Sequence, residues 1–143
     1  MIYAILINKI QTISRCIQRV NEEYKSDAKN LEDSRRQDSI SLNLQRLCEA
    51  SINIATHLIR KRSLGVPQTS KDAHAILERA DLIPKELSER LQVMVGSRNI
   101  TVHECQSLNP KIAQVIIEQH MYDGLGLVKI INDLIHGDFS SQG

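Results

Sequence analysis

The first apolar stripe runs Ile2, Leu6, Ile10, Ile13, Ile17, Val20 and Tyr24, in steps of three and four. That spacing keeps one face of a helix apolar over about six turns. Lys9, Gln11, Arg15, Gln18, Arg19 and Glu22 fall opposite. Ser26 to Asp33 is polar and loses the period, which predicts a loop with room for one helical turn. Ser34 or Asp38 caps a second helix, expected from Asp38 to Arg62. Its stripe is Ile40, Leu44, Leu47, Ser51, Ile54 and Leu58, with Cys48 and Ala55 beside it. Arg60, Lys61 and Arg62 complement the negative end of its dipole, and Leu64-Gly65-Val66-Pro67 stops it.

A short third helix follows, with Ser70 as the expected cap and Ala73, Ile76, Leu77 and Ala80 on its apolar side. Pro84 suits the first position of a fourth helix, whose stripe is Leu87, Leu91, Met94 and Val95. Ile100, Thr101 and Val102 are β-branched and weaken helix preference, so this helix should fray or end shortly after His103. Asn109-Pro110 opens a fifth helix with Ile112, Val115, Ile116, Gln119, Leu125, Val128, Ile131 and Ile135, loosened by Gly124 and Gly126. No stretch alternates as a strand would. The expected fold is all-α: an up-and-down four-helix bundle with one short extra helix. Residues 1–136 make one domain and 137–143 a flexible polar tail.

Composition narrows the function classes. A chain of 143 residues buries a single core without staples. Aromatics are 3%, so the core is built from Ile, Leu, Val and Ala, which suits helix-on-helix packing. A net charge of +1 argues against a strongly basic nucleic-acid binder and leaves only local clustering as a route to an RNA site. The three cysteines are far apart, and neither a CxxC nor a Cys/His ligand spacing occurs. A disulfide framework or zinc site is not expected, and a reducing cytoplasm is the simplest home. No apolar run approaches the ~20 residues that span a bilayer, and the apolar start lacks the marks of a signal peptide. His57, His74, His120 and His136 make no ligand pair at helical spacing, so neither metal nor cofactor is expected.

Against this background, Met94 to Cys105 stands out: it carries Arg98 and His103 in an otherwise apolar helical segment. Positions five apart on a straight helix point about 140° away from each other, whereas Asn99 and His103, four apart, share a face. Such a trio suits RNA cleavage without metal. A histidine near neutrality takes the 2′-OH proton or donates one to the leaving oxygen. An arginine holds the phosphate and the charge of the transition state. One histidine does not readily serve as both acid and base, but two copies across a symmetric dimer supply both. The same residues also fit a plain salt bridge and a satisfied histidine, and a purely structural bundle remains an alternative.

Met94-Val95-Gly96-Ser97-Arg98-Asn99-Ile100-Thr101-Val102-His103-Glu104 resembles the signature of HEPN-domain toxins, specifically the HepT family. That pattern is an Arg, a polar residue, three mostly apolar residues and a His, usually with Tyr two positions on. The stretch from Leu42 to Ala50, through Leu64-Gly65-Val66-Pro67, is similar to the family's second helix and its end. The likeness covers nearly the whole chain.

The resemblance implies an all-α HEPN-like bundle that dimerises with two Arg–His motifs facing a shared cleft. It implies a metal-independent endoribonuclease toxin, silenced by a MntA-type nucleotidyltransferase antitoxin that adds AMP to the motif tyrosine. By position, Arg98 and His103 match the catalytic pair and Asn99 the polar residue that positions substrate. Cys105 departs from the pattern, standing where the family often has Tyr. A thiol is not the phenol expected to accept AMP. Tyr3, Tyr24 and Tyr122 lie outside the motif and read as core-edge residues. The alternative is a non-catalytic nucleotide- or partner-binding HEPN subunit of a nucleotidyltransferase complex, with Arg98 as a phosphate clamp.

Overall fold

The computed structural model describes residues 2–103 and 110–142; for residues 2, 3, 97–103, 110, 112 and 138–142 it describes the backbone alone. Its described elements are α1 (Ile2–Tyr24), a 3₁₀ turn (Ala28–Glu32), α2 (Ser34–Arg62), α3 (Ser70–Arg79), α4 (Lys85–His103), α5 (Pro110–Val115), a π turn (Ile116–His120) and α6 (Asp123–Gln142). The described residues are all-helical, as the apolar periods predict.

The first two stripes are realised directly. Leu6, Ile13, Ile17, Val20 and Tyr24 of α1 are buried, as are Ile40, Leu44, Leu47, Ser51, Ile54 and Leu58 of α2. These two helices form the most extensive pairing in the fold. The polar link between them is ordered by two aspartates. Asp27 caps the 3₁₀ turn through the Lys29 amide at 3.0 Å. The Asp33 carboxylate accepts the amides of Arg35 at 2.9 Å and Arg36 at 3.1 Å. Helix α2 thus starts at Ser34, ahead of the expected Asp38, and neither Ser34 nor Asp38 is its cap. The Arg36 and Arg35 amides hold the Asp33 carboxyl below its usual range. At the far end Ser63 turns left-handed (φ 54°), and the Leu64 amide reaches the Ile59 carbonyl at 3.0 Å. Gly65 follows at φ +130°, which only glycine adopts without strain.

Two further starts are corrected by one residue. The cap of α3 is Thr69, whose hydroxyl accepts the Asp72 amide at 3.2 Å; Ser70 is already helical. Helix α4 begins at Lys85, and Pro84 precedes it, its carbonyl accepting the Ser88 amide at 3.0 Å.

The largest departure is the expected fifth helix, which is three pieces. The Met121 amide bonds to the Ile116 carbonyl at 2.7 Å, a five-residue closure that defines the π turn. One extra residue in a turn rotates everything beyond it by about 100°. The buried set accordingly becomes Ala113, Ile116, Ile117, Met121, Leu127, Val128, Ile131 and Ile135. Val115 and Leu125, expected on the stripe, are exposed. Gly124 is packed tightly: a Cβ there would lie 3.2 Å from Leu47 and 3.5 Å from Ile13, so its absence lets α6 seat against both α1 and α2. The helical backbone of α6 continues to Gln142, over the segment read as a polar tail.

Candidate ribonuclease site

Helix α4 carries the Arg–His segment through His103. Positions 98 and 103 are therefore on continuous helical backbone, about 140° apart around the axis. Positions 99 and 103 are about 40° apart. The side chains of Arg98, Asn99 and His103 lie outside the described residues, and so does Cys105 altogether.

What precedes the segment is firmly held. Leu91, Met94 and Val95 are buried. The Cys48 thiol of α2 approaches the Met94 carbonyl at 3.7 Å. One turn earlier a buried polar cluster joins three helices. His74 of α3 meets the Ser51 hydroxyl of α2 at 2.9 Å through Nε2. The Ser88 hydroxyl of α4 donates to the His74 carbonyl at 3.2 Å and accepts Gln92 Nε2 at 3.0 Å. His74 is sealed from solvent, and its Nδ1 has no partner among the described residues. Burial pushes its pKa down to about 4, against a smaller opposing effect of the Ser51 hydrogen bond. It is neutral at physiological pH and cannot serve there as a proton donor from an imidazolium. Its place is to orient α4 on α2 and α3.

A second fastening lies on the outer side of α4. Arg90 Nε bonds Asp123 Oδ1 at 2.8 Å, and its guanidinium also donates to the Gln119 carbonyl. The other Asp123 oxygen meets His120 Nδ1 at 3.2 Å. The π turn is thereby tied to the helix that bears the motif.

Lys71 of α3 completes the surroundings. A Cβ at Gly96 would lie 2.8 Å from Lys71 Cε and 3.0 Å from its Nζ. Its stem therefore lies against α4 where glycine leaves room. Positions 96, 99 and 103 fall on one side of a regular helix. The ammonium is thus brought to the side of α4 that positions 99 and 103 share. Sequence reasoning missed Lys71 and the Ser51–His74–Ser88–Gln92 cluster, because each depends on how separate helices rotate against one another.

The tyrosines differ sharply. Tyr24 is buried and donates to Glu118 at 2.8 Å; burial, then that carboxylate, pushes its pKa up to about 12. Tyr122 is exposed and accepts Asn21 Nδ2 at 3.2 Å. Among the described residues no group of His, Cys, Asp and Glu is placed to hold a metal ion.

An all-helical domain with an Arg-x4-His segment on one long helix has the layout of a HEPN domain. Comparison with known proteins makes this specific. A family model described as Ribonuclease HepT-like matches residues 7–131. The mRNA nuclease HepT of Shewanella oneidensis is 44% identical over 127 residues, 89% of this chain and 96% of that protein. A solved structure of tri-AMPylated Shewanella oneidensis HEPN toxin in complex with MNT antitoxin aligns with a TM-score of 0.84 at 43% identity, covering 90% of this chain and 97% of that one. A toxin–antitoxin crystal structure with AMP-PNP aligns at 0.85 and 43% identity, covering 91% and 98%. The chain belongs to the family of HepT-like ribonucleases.

Proposed function

We propose that this chain is a metal-independent endoribonuclease toxin whose catalytic residues are Arg98 and His103, with Asn99 positioning the substrate. The observation that carries the reading is the Arg-Asn-Ile-Thr-Val-His segment on α4, in a fold that matches a HEPN toxin over nearly its whole length.

In the proposed reaction the 2′-oxygen attacks the adjacent phosphorus. His103 of one protomer takes the 2′-OH proton as the new P–O bond forms. Arg98 steadies the added negative charge through paired N–H bonds. The bond to the 5′-oxygen breaks, and a second protonated histidine supplies its proton. The products are a 2′,3′-cyclic phosphate and a free 5′-hydroxyl. A homodimer with two motifs at one cleft provides both histidines. The 140° between positions 98 and 103 supports this arrangement, since one helix alone does not turn both positions to one point.

The partner is a MntA-type nucleotidyltransferase antitoxin, as the complexes of the similar toxins support. Cys105 stands at the position of the usual motif tyrosine, so control here works by tight binding or by AMP on another residue. Intact mass of the chain co-expressed with the antitoxin separates these: no added AMP supports binding, and added AMP locates the alternative acceptor.

The activity test is cleavage of RNA by the purified protein in EDTA. His103→Ala and Arg98→Ala should each lower the rate by about 10²–10⁴-fold. Cleavage that survives both substitutions sinks the assignment. Partner binding without any RNA turnover would leave the non-catalytic subunit as the reading.

A further inference from the structure

A groove of about 390 Å³ runs between α1 and α2, away from the motif. Arg15 and Arg19 of α1 and Arg46 of α2 line it, together with Asn43. All three arginines are exposed. Arg19 lies 3.7 Å from Glu22 in a solvent-exposed pair, which is a weak restraint. Among the described residues, Arg15 and Arg46 form no ion pair.

Nothing in the fold calls for this clustering. Like charges four apart on a helix destabilise it by a few tenths of a kcal/mol. Arg15 and Arg19 stand in that relation, and Arg46 faces them across the groove. The whole chain carries a net charge of only +1, so three guanidiniums on one groove concentrate charge that is balanced elsewhere. The convergence is visible at the groove floor. Burial raises the Cys16 thiol pKa, while Arg46 and Arg15 both pull it down, so two cations from different helices bear on one point. The step from Arg15 to Arg19 is about 6 Å along the axis, comparable to the spacing of successive phosphates in an extended strand.

We propose that the α1–α2 groove binds the phosphate backbone of single-stranded RNA at a subsite remote from the cleaved bond. This rests on the ribonuclease reading and extends it. Arg46 and Cys48 are two residues apart, about 200° around α2, and the Cys48 thiol faces Met94 of α4. The groove is therefore on the opposite flank of α2 from the motif helix. A strand that reaches both must cross a helix about 10–12 Å wide, which takes at least two further nucleotides at about 6 Å each. Guanidiniums suit this task because their paired donors match phosphate oxygens and read no base.

The test uses the full chain and a short single-stranded 2′-O-methyl RNA, which lacks the attacking hydroxyl and survives the measurement. The variants are Arg15→Ala/Arg46→Ala and Arg15→Lys/Arg46→Lys. Both positions are on the surface, and a thermal melt checks that the fold is kept. The alanine pair should weaken binding about ten-fold at low salt and lower the slope of log K against log salt by about 1.4, the loss of two phosphate contacts. The lysine pair should restore most of that slope. Cleavage of a dinucleotide, too short to span both places, should be unchanged by either pair. An unaltered affinity and salt slope would overturn the proposal, as would an equal loss on the dinucleotide. Loss of antitoxin binding with RNA affinity intact would also overturn it and assign the groove to the protein partner. If the unmodified chain binds no RNA at all, the ribonuclease reading falls with it. If that chain binds and the alanine pair binds equally, only the groove falls.

Discussion

The α1–α2 pair and the arm from Pro110 to Gln142 both bury apolar residues at helical spacing, but only the first keeps one phase throughout. In α1 and α2 the stripe continues without interruption, and capping at Asp33 and Ser63 fixes where α2 starts and stops. In the arm, the π turn rotates the face midway, and polar fastenings take over part of the positioning. A continuous stripe lets packing determine orientation unaided. An interrupted one needs specific side-chain bonds, and here those bonds also grip the motif helix.

The contrast can be broken first at the seam. Leu47 is fully buried and meets α6 at Gly124. Leu47→Ala should cost roughly 2–5 kcal/mol in urea unfolding, because it removes transfer energy and leaves a cavity. A loss under about 1 kcal/mol would show that the pair is not the stabilising unit.

The next effect is at the joint of α2, α3 and α4. The pKa of His74 is about 4 in the fold and near the ordinary histidine value of 6.5 when unfolded. Between those values the unfolded chain binds more protons. This contribution is fully present above pH 6.5 and is lost as pH falls towards 4, by up to roughly 3 kcal/mol. His74→Leu should flatten that part of the pH profile of stability. A profile unchanged by the substitution would mean that His74 is not the group titrating.

The smallest effect belongs to the arm. Asp123→Asn removes the charge from contacts with Arg90 and His120. Arg90 is half exposed, so solvent screens its share and the cost should be about 0.5–1 kcal/mol. The loss should shrink in high salt; a salt-independent loss of several kcal/mol would place the arm among the packing-determined regions after all.

Legibility in the sequence follows the same division. The burial of Leu44, Leu47, Ile54 and Leu58 was readable because it needs only a period and a boundary. The exposure of Val115 and Leu125 was not, since an inserted residue leaves apolar letters at ordinary spacing while changing where they point. Thr69 and Ser70 are both good caps, and backbone geometry alone selects the first. The Arg98–His103 segment was legible as a family motif, through residue type and likeness. The Arg15–Arg46 groove was hidden: from α1 alone, Arg15 and Arg19 are merely a solvated face, and only the neighbouring helix turns them into a concave surface.

The nine-residue link between α1 and α2 bears on the order of assembly. Contacts between these helices are close in sequence, and short-range contacts form fastest. The hairpin also leaves the ribosome before α4 does. Helix α4 must then dock on a surface already formed. A nascent chain would thus complete its scaffold well before the motif helix docks, and pulse-labelled hydrogen exchange should find amides of α1 and α2 protected ahead of those in α4.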